Sequence, residues 1–205
     1  VLADYKKKNP QSTETERIEF ETAKGLYGDG KYPQAIKALQ NYIRDYPNSK
    51  SATEARYLGG ESYYRNNDLA NALKLFNIVM GEGDEKFTPK AALRAGDIEV
   101  QQQNFPQAVR NFYVLYSQSE NKTDQVTGLI RLMDTYFVMK KYDSTLRVAR
   151  EVISVGDVIP GSTKKAQMQT AKVYLEKADY KTADTEFKKI IAANKDEFGA
   201  EAKYW

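Results

Sequence analysis

Acidic side chains recur along this chain at a long, regular interval. Glu61, Asp97 and Asp134 occupy equivalent positions in three successive stretches of sequence, and Lys24 and Lys172 occupy that position in the stretches on either side. A row of carboxylates can hold a polar or basic segment of another molecule through charge-assisted hydrogen bonds. The first hypothesis is therefore a groove that grips such a segment through Glu61, Asp97 and Asp134.

A simpler interpretation of the same carboxylates stays open. Arg94 with Asp97, and Arg131 with Asp134, have the i, i+3 spacing of helical ion pairs. Each such pair stabilises a helix by about 0.2–0.5 kcal/mol. Glu61 has no basic residue three positions before it, so the intrahelical interpretation accounts for it least well.

Basic and aromatic side chains accompany the carboxylates. The basic members and the carboxylates together form a polar stripe, with positions spaced i, i+4 and i+7 in each of the repeated stretches. The aromatic members would add apolar contacts at its margin, although aromatic residues at this spacing more often pack in a core. The candidate partner-binding residues are Glu61, Asp97, Asp134, Lys90, Arg94, Arg131, Tyr57, Tyr64 and Phe137.

The residue types argue against catalysis and against bound metals or cofactors. Glycoside hydrolysis needs two carboxylates about 5–9.5 Å apart in a cleft, one with a raised pKa, and an open groove provides no burial to raise it. The chain has no histidine and no cysteine. Disulfides, thiol catalysis and the usual zinc sites are thereby excluded. We expect a protein that is not an enzyme, with no catalytic residue, no metal site and no cofactor.

Charge and hydropathy narrow the class of partner. The net charge is only +3 over 205 residues, with 31 basic and 28 acidic residues interspersed. Nucleic-acid binding usually needs a basic stripe, so we expect a protein or peptide partner, possessing a basic or polar segment, and no nucleic acid. The basic run Lys6-Lys7-Lys8 is interpreted as a solvated tail. No apolar stretch reaches the roughly 18–20 residues of a membrane span, so no direct span is expected.

The elements that position these residues follow from an internal repeat. A small residue four positions before an apolar one recurs five times, with intervals of 37, 36, 37 and 38 residues, at Ala35, Ala72, Ala108, Thr145 and Ala183. Upstream of each copy, apolar residues at i, i+3 and i+7 mark one face of a helix. This period is typical of helix-turn-helix repeats of tetratricopeptide type. The sequence predicts an all-α, right-handed solenoid with five repeats and the start of a sixth.

The repeat boundaries follow from the turn signals. Pro33 and Pro106 fall in the first turn of the second helix of their repeats, where a missing N–H costs nothing. Glu201–Trp205 matches the start of the second repeat, so a sixth repeat is expected to begin there and to continue in a longer natural protein. The predicted segments are 1–15 (linker or end of a preceding repeat), 16–50, 51–87, 88–123, 124–160 (irregular), 161–196 and 197–205 (start of the sixth).

The first two repeats resemble a particular group of tetratricopeptide proteins. The residues that carry the resemblance are Tyr46-Pro47-Asn48-Ser49, Ala55–Glu61 and Gly60-Glu61-Ser62-Tyr63-Tyr64, followed by Asp68, Leu69, Ala72 and Phe76. They are similar to repeats of the periplasmic Tol–Pal coordinator and of the outer-membrane lipoprotein of the β-barrel assembly machine. The resemblance implies that the polar stripe lines a concave groove, that the chain is a scaffold of the bacterial envelope, and that no family active site transfers.

These observations predict a protein–protein interaction scaffold of the bacterial cell envelope, periplasmic or associated with the outer membrane. It would bind a peptide or a partner protein along the concave face of the superhelix. Two alternatives stay open: a structural spacer or self-association module, and a platform for outer-membrane protein assembly. The sequence does not decide the oligomeric state.

Overall fold

A computed structural model describes residues 12–193 and 197–205. Most of the predicted linker 1–15, with the Lys6-Lys7-Lys8 run, lies outside the described residues. So do residues 194–196, at the end of the predicted fifth repeat.

The described part of the chain consists of eleven α-helices and contains no strand, which confirms the predicted all-α class. The helices are α1 (Thr13–Gly28), α2 (Tyr32–Asp45), α3 (Ala52–Arg65), α4 (Leu69–Glu82), α5 (Thr88–Gln101), α6 (Phe105–Gln118), α7 (Lys122–Val138), α8 (Tyr142–Val155), α9 (Ser162–Glu176), α10 (Tyr180–Ala193) and α11 (Glu197–Tyr204). The odd-numbered helices are called first helices and the even-numbered ones second helices.

The chain divides into two compact units, 1–98 and 99–205, and each is described by itself. In the first unit, α1 packs on α2, α2 on α3 and α3 on α4, and α1 also contacts α3. In the second unit the same order holds from α6 to α11, with further contacts of α9 to α7 and α11. Within these sets α1, α7 and α9 therefore each touch their own second helix and the next first helix.

The small residue that defines the repeat is buried in every copy. Ala35, Ala72, Ala108 and Thr145 have no exposed surface, and Ala183 is 2% exposed. The first helix supplies a second close approach, because a Cβ at Gly60 would lie 2.7 Å from Cε1 of Phe76 on α4. Glycine at this position of the first helix therefore lets the two helices of the second repeat pack closely.

Each turn between a first and a second helix contains one residue with positive φ. These residues are Gly30, Asn67, Gln103, Lys140 and Ala178, with φ between 56° and 73°. They recur at the same intervals as the small residues, so the turn geometry is part of the repeat. Glycine and asparagine tolerate this conformation, so the residue type explains it at Gly30 and Asn67 but not at Gln103, Lys140 and Ala178.

Local signals fix several helix starts. Pro33 and Pro106 lie in the first turn of α2 and α6, as predicted. The Oγ of Ser12 accepts from the backbone N–H of Thr15 at 3.1 Å and caps α1. Asn121 caps α7 by accepting from the N–H groups of Thr123 and Asp124 at 2.8 and 3.3 Å.

Candidate protein-binding face

The polar stripe occupies three positions on each first helix, spaced i, i+4 and i+7. We call these the first, second and third stripe positions. In the first unit they border a groove of about 680 Å³ between α1, α3 and residues 48–51. Four of the side chains that line it are the stripe residues Arg17, Glu21, Lys24 and Glu54. The stripe therefore faces a surface groove in the first two repeats.

An ion pair crosses this groove. Nζ of Lys24 on α1 donates to Oε1 of Glu54 on α3 at 2.7 Å, and both side chains are partly exposed. Glu21 and Arg17 are exposed beside it, and Arg17 also pairs with Glu14 of its own helix at 2.7 Å. The groove thus offers charges of both signs to a ligand.

Glu61 is buried, whereas the sequence predicts an open row of acidic side chains that includes it. It is 2% exposed, and its Oε1 accepts from Nε of Arg94 on α5 at 2.6 Å. The Arg94 side chain is 30% exposed, so the pair is open to water only on the arginine side. Burial opposes the charged form of Arg94, but the hydrogen bond and charge of Glu61 outweigh it and raise the pKa of the guanidinium.

Two of the predicted aromatic residues surround this pair. The guanidinium carbon of Arg94 lies 5.5 Å from the ring centroid of Tyr64, a cation–π contact. Tyr57 packs against Phe76 and Phe87. Burial, reinforced by the charge of Glu61, raises the pKa of Tyr57 above its ordinary range. The structure therefore brings together Tyr57, Glu61, Tyr64 and Arg94, which pack against one another between α3 and α5.

The remaining predicted residues of the first unit lie on α5. Lys90 is exposed, and its Nζ lies 5.7 Å from the centroid of the Phe87 ring. Asp97 is half-buried, one turn beyond Arg94. Both can present polar atoms at the surface.

In the second unit the predicted residues lie on α7. Oδ2 of Asp134 accepts from Nζ of Lys165 on α9 at 2.6 Å, and both side chains are partly exposed. Arg131 is exposed one turn earlier on α7. Phe137 is half-buried, with its ring centroid 6.1 Å from that of Tyr142.

One pairing rule relates these contacts. The third stripe position of one repeat bonds to the first position of the next, as in Lys24 with Glu54 and Asp134 with Lys165. Lys172 on α9 and Glu201 on α11 follow it too, at 2.6 Å. Glu61 bonds to the second position, at Arg94. Glu61 and Asp134 thus bond to the next first helix, which neither the open acidic row nor pairing within one helix predicts.

A signal for this rule is present in the sequence. The paired residues are 29, 30, 31 and 33 positions apart and always carry opposite charges. A comparison of charges between neighbouring repeats, and not within one helix, would have found it.

The described residues contain no cluster of three or more acidic, histidine or cysteine side chains that could hold a metal ion. Over the same residues, no helix combines the length and the apolar character that crossing a membrane requires.

The YfiO family of outer membrane lipoproteins matches residues 2–77. No curated protein sequence matches the chain. The family match covers the first repeat and most of the second, where the sequence resemblance is most detailed.

Solved structures share the fold at low sequence identity. Nearly identical TPR-like repeats from Podosopora anserina have a TM-score of 0.62 and 13% identity, over 89% of this chain and 96% of theirs. The apo form of RapI has a TM-score of 0.71 and 13% identity, over 98% of this chain and 61% of its own. The apo quorum sensor NprR from B. thuringiensis has a TM-score of 0.58 and 14% identity, over 99% and 61%. The repeat period, the helix pairs and these matches show a fold of tetratricopeptide-like helix-turn-helix repeats, and residues 2–77 are similar to the YfiO outer membrane lipoproteins.

Proposed function

We propose that this chain is a scaffold that binds a peptide or a partner protein along the face formed by its first helices. The observation that carries the proposal is the groove of about 680 Å³ between α1 and α3, lined by stripe residues of both charges. Its volume lies within the roughly 300–1,000 Å³ range of ligand sites. Its mixed charges suit a polar segment that carries both donors and acceptors.

The stripe residues divide into two roles under this proposal. Arg17, Glu21, Lys90 and Arg131 are exposed, and they are the side chains that a partner would meet first. The half-buried Asp97 and Asp134 present carboxylate oxygens beside them.

The Glu61 cluster has a different role. Glu61 itself is too buried to reach a partner, and it positions Arg94 for contact. Tyr64 would then present the edge of its ring beside the guanidinium, while Phe137 would offer an apolar margin in the second unit and Tyr57 would support the interface from within.

The bacterial envelope is the proposed location. The match of residues 2–77 to an outer membrane lipoprotein family supports it. Fractionation of the producing cells, with the chain in its natural sequence context, tests it. Recovery with the cytoplasmic fraction would contradict this part of the proposal and leave the binding face untouched.

The binding face is tested by photo-crosslinking in those cells. Benzoylphenylalanine replaces Glu21, which lines the groove, or Lys37, which is exposed on α2 away from it. We expect one protein to be captured from position 21 and not from position 37. The matched variant exchanges the two exposed charges by combining Arg17→Glu with Glu21→Arg, so the net charge of the chain is unchanged. In this variant, and in its unexchanged control, the crosslinker replaces Thr13.

The exchanged variant decides the interpretation. Loss of the captured protein from the Thr13 position in this variant supports recognition by the stripe. Equal capture from positions 21 and 37, or capture that survives the exchange, would overturn the assignment of this face. Absence of any captured partner would favour a structural spacer.

A further inference from the structure

A second groove lies on the other side of the first unit, away from the stripe. It has a volume of about 390 Å³ and is walled by α2 and α4, with α3 at its base. Ile36, Leu39, Ile43 and Leu75 give it an apolar interior. Leu39 has no exposed surface, and the others are half-buried. The groove is therefore an apolar surface that the repeat packing leaves partly open.

A glycine at the base of the groove lets Leu75 pack closely against α3. Gly59 lies at its base, where a Cβ would come within 2.9 Å of Cδ1 of Leu75. The equivalent positions of the other first helices, those just before the central residue of each apolar triplet, carry Thr22, Ala95, Leu132 and Thr170. Glycine at this position is thus specific to the second repeat.

The rim of the groove is polar and carries cations. Arg44 on α2 and Lys74 on α4 are its charged side chains, and none of the described residues that line it is acidic. Arg44 pairs through Nε with Asp45 at 2.9 Å, outside the groove. Lys74 is exposed, and no described residue bonds to it. The two cations come from opposite walls, so a ligand in the groove would lie between them.

The amide and phenol groups of the rim are suited to a peptide. Gln40 donates through Nε2 to the hydroxyl of Tyr63 at 2.5 Å, which joins α2 to α3 at the edge of the groove. Asn41 and Asn71 add exposed amides on the two walls. From Ile36 to Arg44 the α2 wall extends over about 12 Å, two helical turns at 1.5 Å per residue. That length accommodates apolar side chains at i and i+3 or i+4 of a docked helix.

We infer that this groove binds an acidic amphipathic segment of a partner protein, with leucine-like side chains against Ile36, Ile43 and Leu75 and carboxylates beside Arg44 and Lys74. The charge of the rim selects the sign of the partner, because a basic segment would bring like charges together on both walls. The groove between α1 and α3 contrasts with it, since that groove presents carboxylates and cations together. The two surfaces would therefore bind different segments.

The test uses two fluorescein-labelled 14-residue helical peptides with leucines at i, i+3 and i+7. One has glutamate at the flanking positions and the other has lysine. Fluorescence anisotropy with the full chain is expected to show saturable binding of the acidic peptide. We expect the lysine peptide, and an acidic peptide with serine in place of leucine, to bind at least about tenfold more weakly, equivalent to about 1.4 kcal/mol.

Two variants of the chain locate the binding. Lys74→Glu should weaken binding of the acidic peptide about tenfold. Lys37→Glu makes the same charge change at an exposed position of α2 outside the groove, and it should change the affinity by less than about twofold. Asn71→Phe, at an exposed wall position, should block the groove without disturbing the core. Retained helical circular dichroism in each variant verifies its fold.

Several results would overturn the inference. They are failure of the acidic peptide to bind, equal binding of the lysine peptide, or equal effects of Lys74→Glu and Lys37→Glu, which would indicate long-range charge alone. Dimerisation of the chain that Asn71→Phe abolishes, measured by sedimentation, would assign the groove to a second copy instead. None of these results affects crosslinking from position 21, so this inference and the proposed function can fail separately.

Discussion

Glu61 on α3 and Arg94 on α5 are bonded at 2.6 Å although 33 positions separate them in the sequence. The carboxylate is almost wholly buried, and the guanidinium reaches it from a partly exposed position over the ring of Tyr64. Removing one partner of a buried pair is costly because it leaves the other charge without compensation. The pair therefore holds two consecutive first helices in a fixed register.

The first prediction concerns this pair. Glu61→Gln should lower the free energy of unfolding by about 2 kcal/mol, less than for a fully buried pair because Arg94 is partly exposed. Lys24→Gln, in the exposed pair with Glu54, should cost no more than about 1 kcal/mol. Urea unfolding of the full chain, followed by circular dichroism, measures both. An equal decrease in the free energy of unfolding in the two variants would show that the burial of Glu61 adds nothing to the strength of its ion pair.

The second prediction concerns the more exposed pair of Asp134 and Lys165. Asp134→Lys places two cations side by side and should destabilise the second unit by about 0.2–1 kcal/mol at low salt. Adding Lys165→Asp restores opposite charges and should recover the stability. The difference should shrink in 1 M salt, where charges are screened over about 3 Å. A double variant no more stable than the single one would argue against direct pairing.

A third prediction compares two glycines within helices. Gly60→Ala should destabilise the chain by about 1–3 kcal/mol because its Cβ would overlap the Phe76 ring. Gly25→Ala, with nothing within 4 Å of the added Cβ, should stabilise it by about 0.5–1 kcal/mol. Thermal unfolding distinguishes the two signs. A second change, Phe76→Leu, should relieve part of the strain in the Gly60 variant, and its failure to do so would locate the cost elsewhere.

A fourth prediction concerns the turn at Ala178, which has φ of 57°. The left-handed conformation costs a residue with a Cβ about 1–2 kcal/mol. Glycine removes that cost, but its greater conformational entropy in the unfolded chain opposes folding by about 0.5–1 kcal/mol. Ala178→Gly should therefore stabilise the chain by about 0.5–1 kcal/mol, by the difference of these terms. The same substitution at Ala38, in the middle of α2, should destabilise it, and urea unfolding that gave both the same sign would contradict the turn geometry.

A fifth prediction concerns alkaline pH. Burial, with the hydrogen bond to Glu19, raises the pKa of Tyr46 from its ordinary value near 10 to about 12. The unfolded chain therefore releases this proton first, so the stability from neutral Tyr46 is complete below pH 10 and is lost as the pH rises to about 12. Tyr46→Phe should flatten the fall in stability over this window, measured by urea unfolding. Tyr113→Phe, which removes an exposed phenol, is the control, and an equal flattening there would refute the assignment.

The fold could be predicted from sequence because its determinants are local. The periodic small residues at Ala35 and Ala72, and prolines in the first turn of α2 and α6, follow from helix geometry alone. The pairing of Glu61 with Arg94 does not follow from helix geometry alone, because it depends on how one repeat stacks on the next. The left-handed turns at Lys140 and Ala178 were also missed, since neither residue type favours that conformation and tertiary packing imposes it.

The charge pairing between repeats has a consequence for how such an array can grow. The second repeat is acidic at both its first and third stripe positions, Glu54 and Glu61, whereas the fifth is basic at both, Lys165 and Lys172. A tandem duplication of the fifth repeat would place Lys172 beside Lys165, and one of the second repeat would leave Glu61 opposite Leu58 and Glu54 in place of Arg94. A copy of the fifth repeat inserted after the second would place Lys165 beside Glu61 at one junction, but Lys172 beside Lys90 at the other. The repeats are therefore not interchangeable parts, and their charges restrict the order in which they can follow one another.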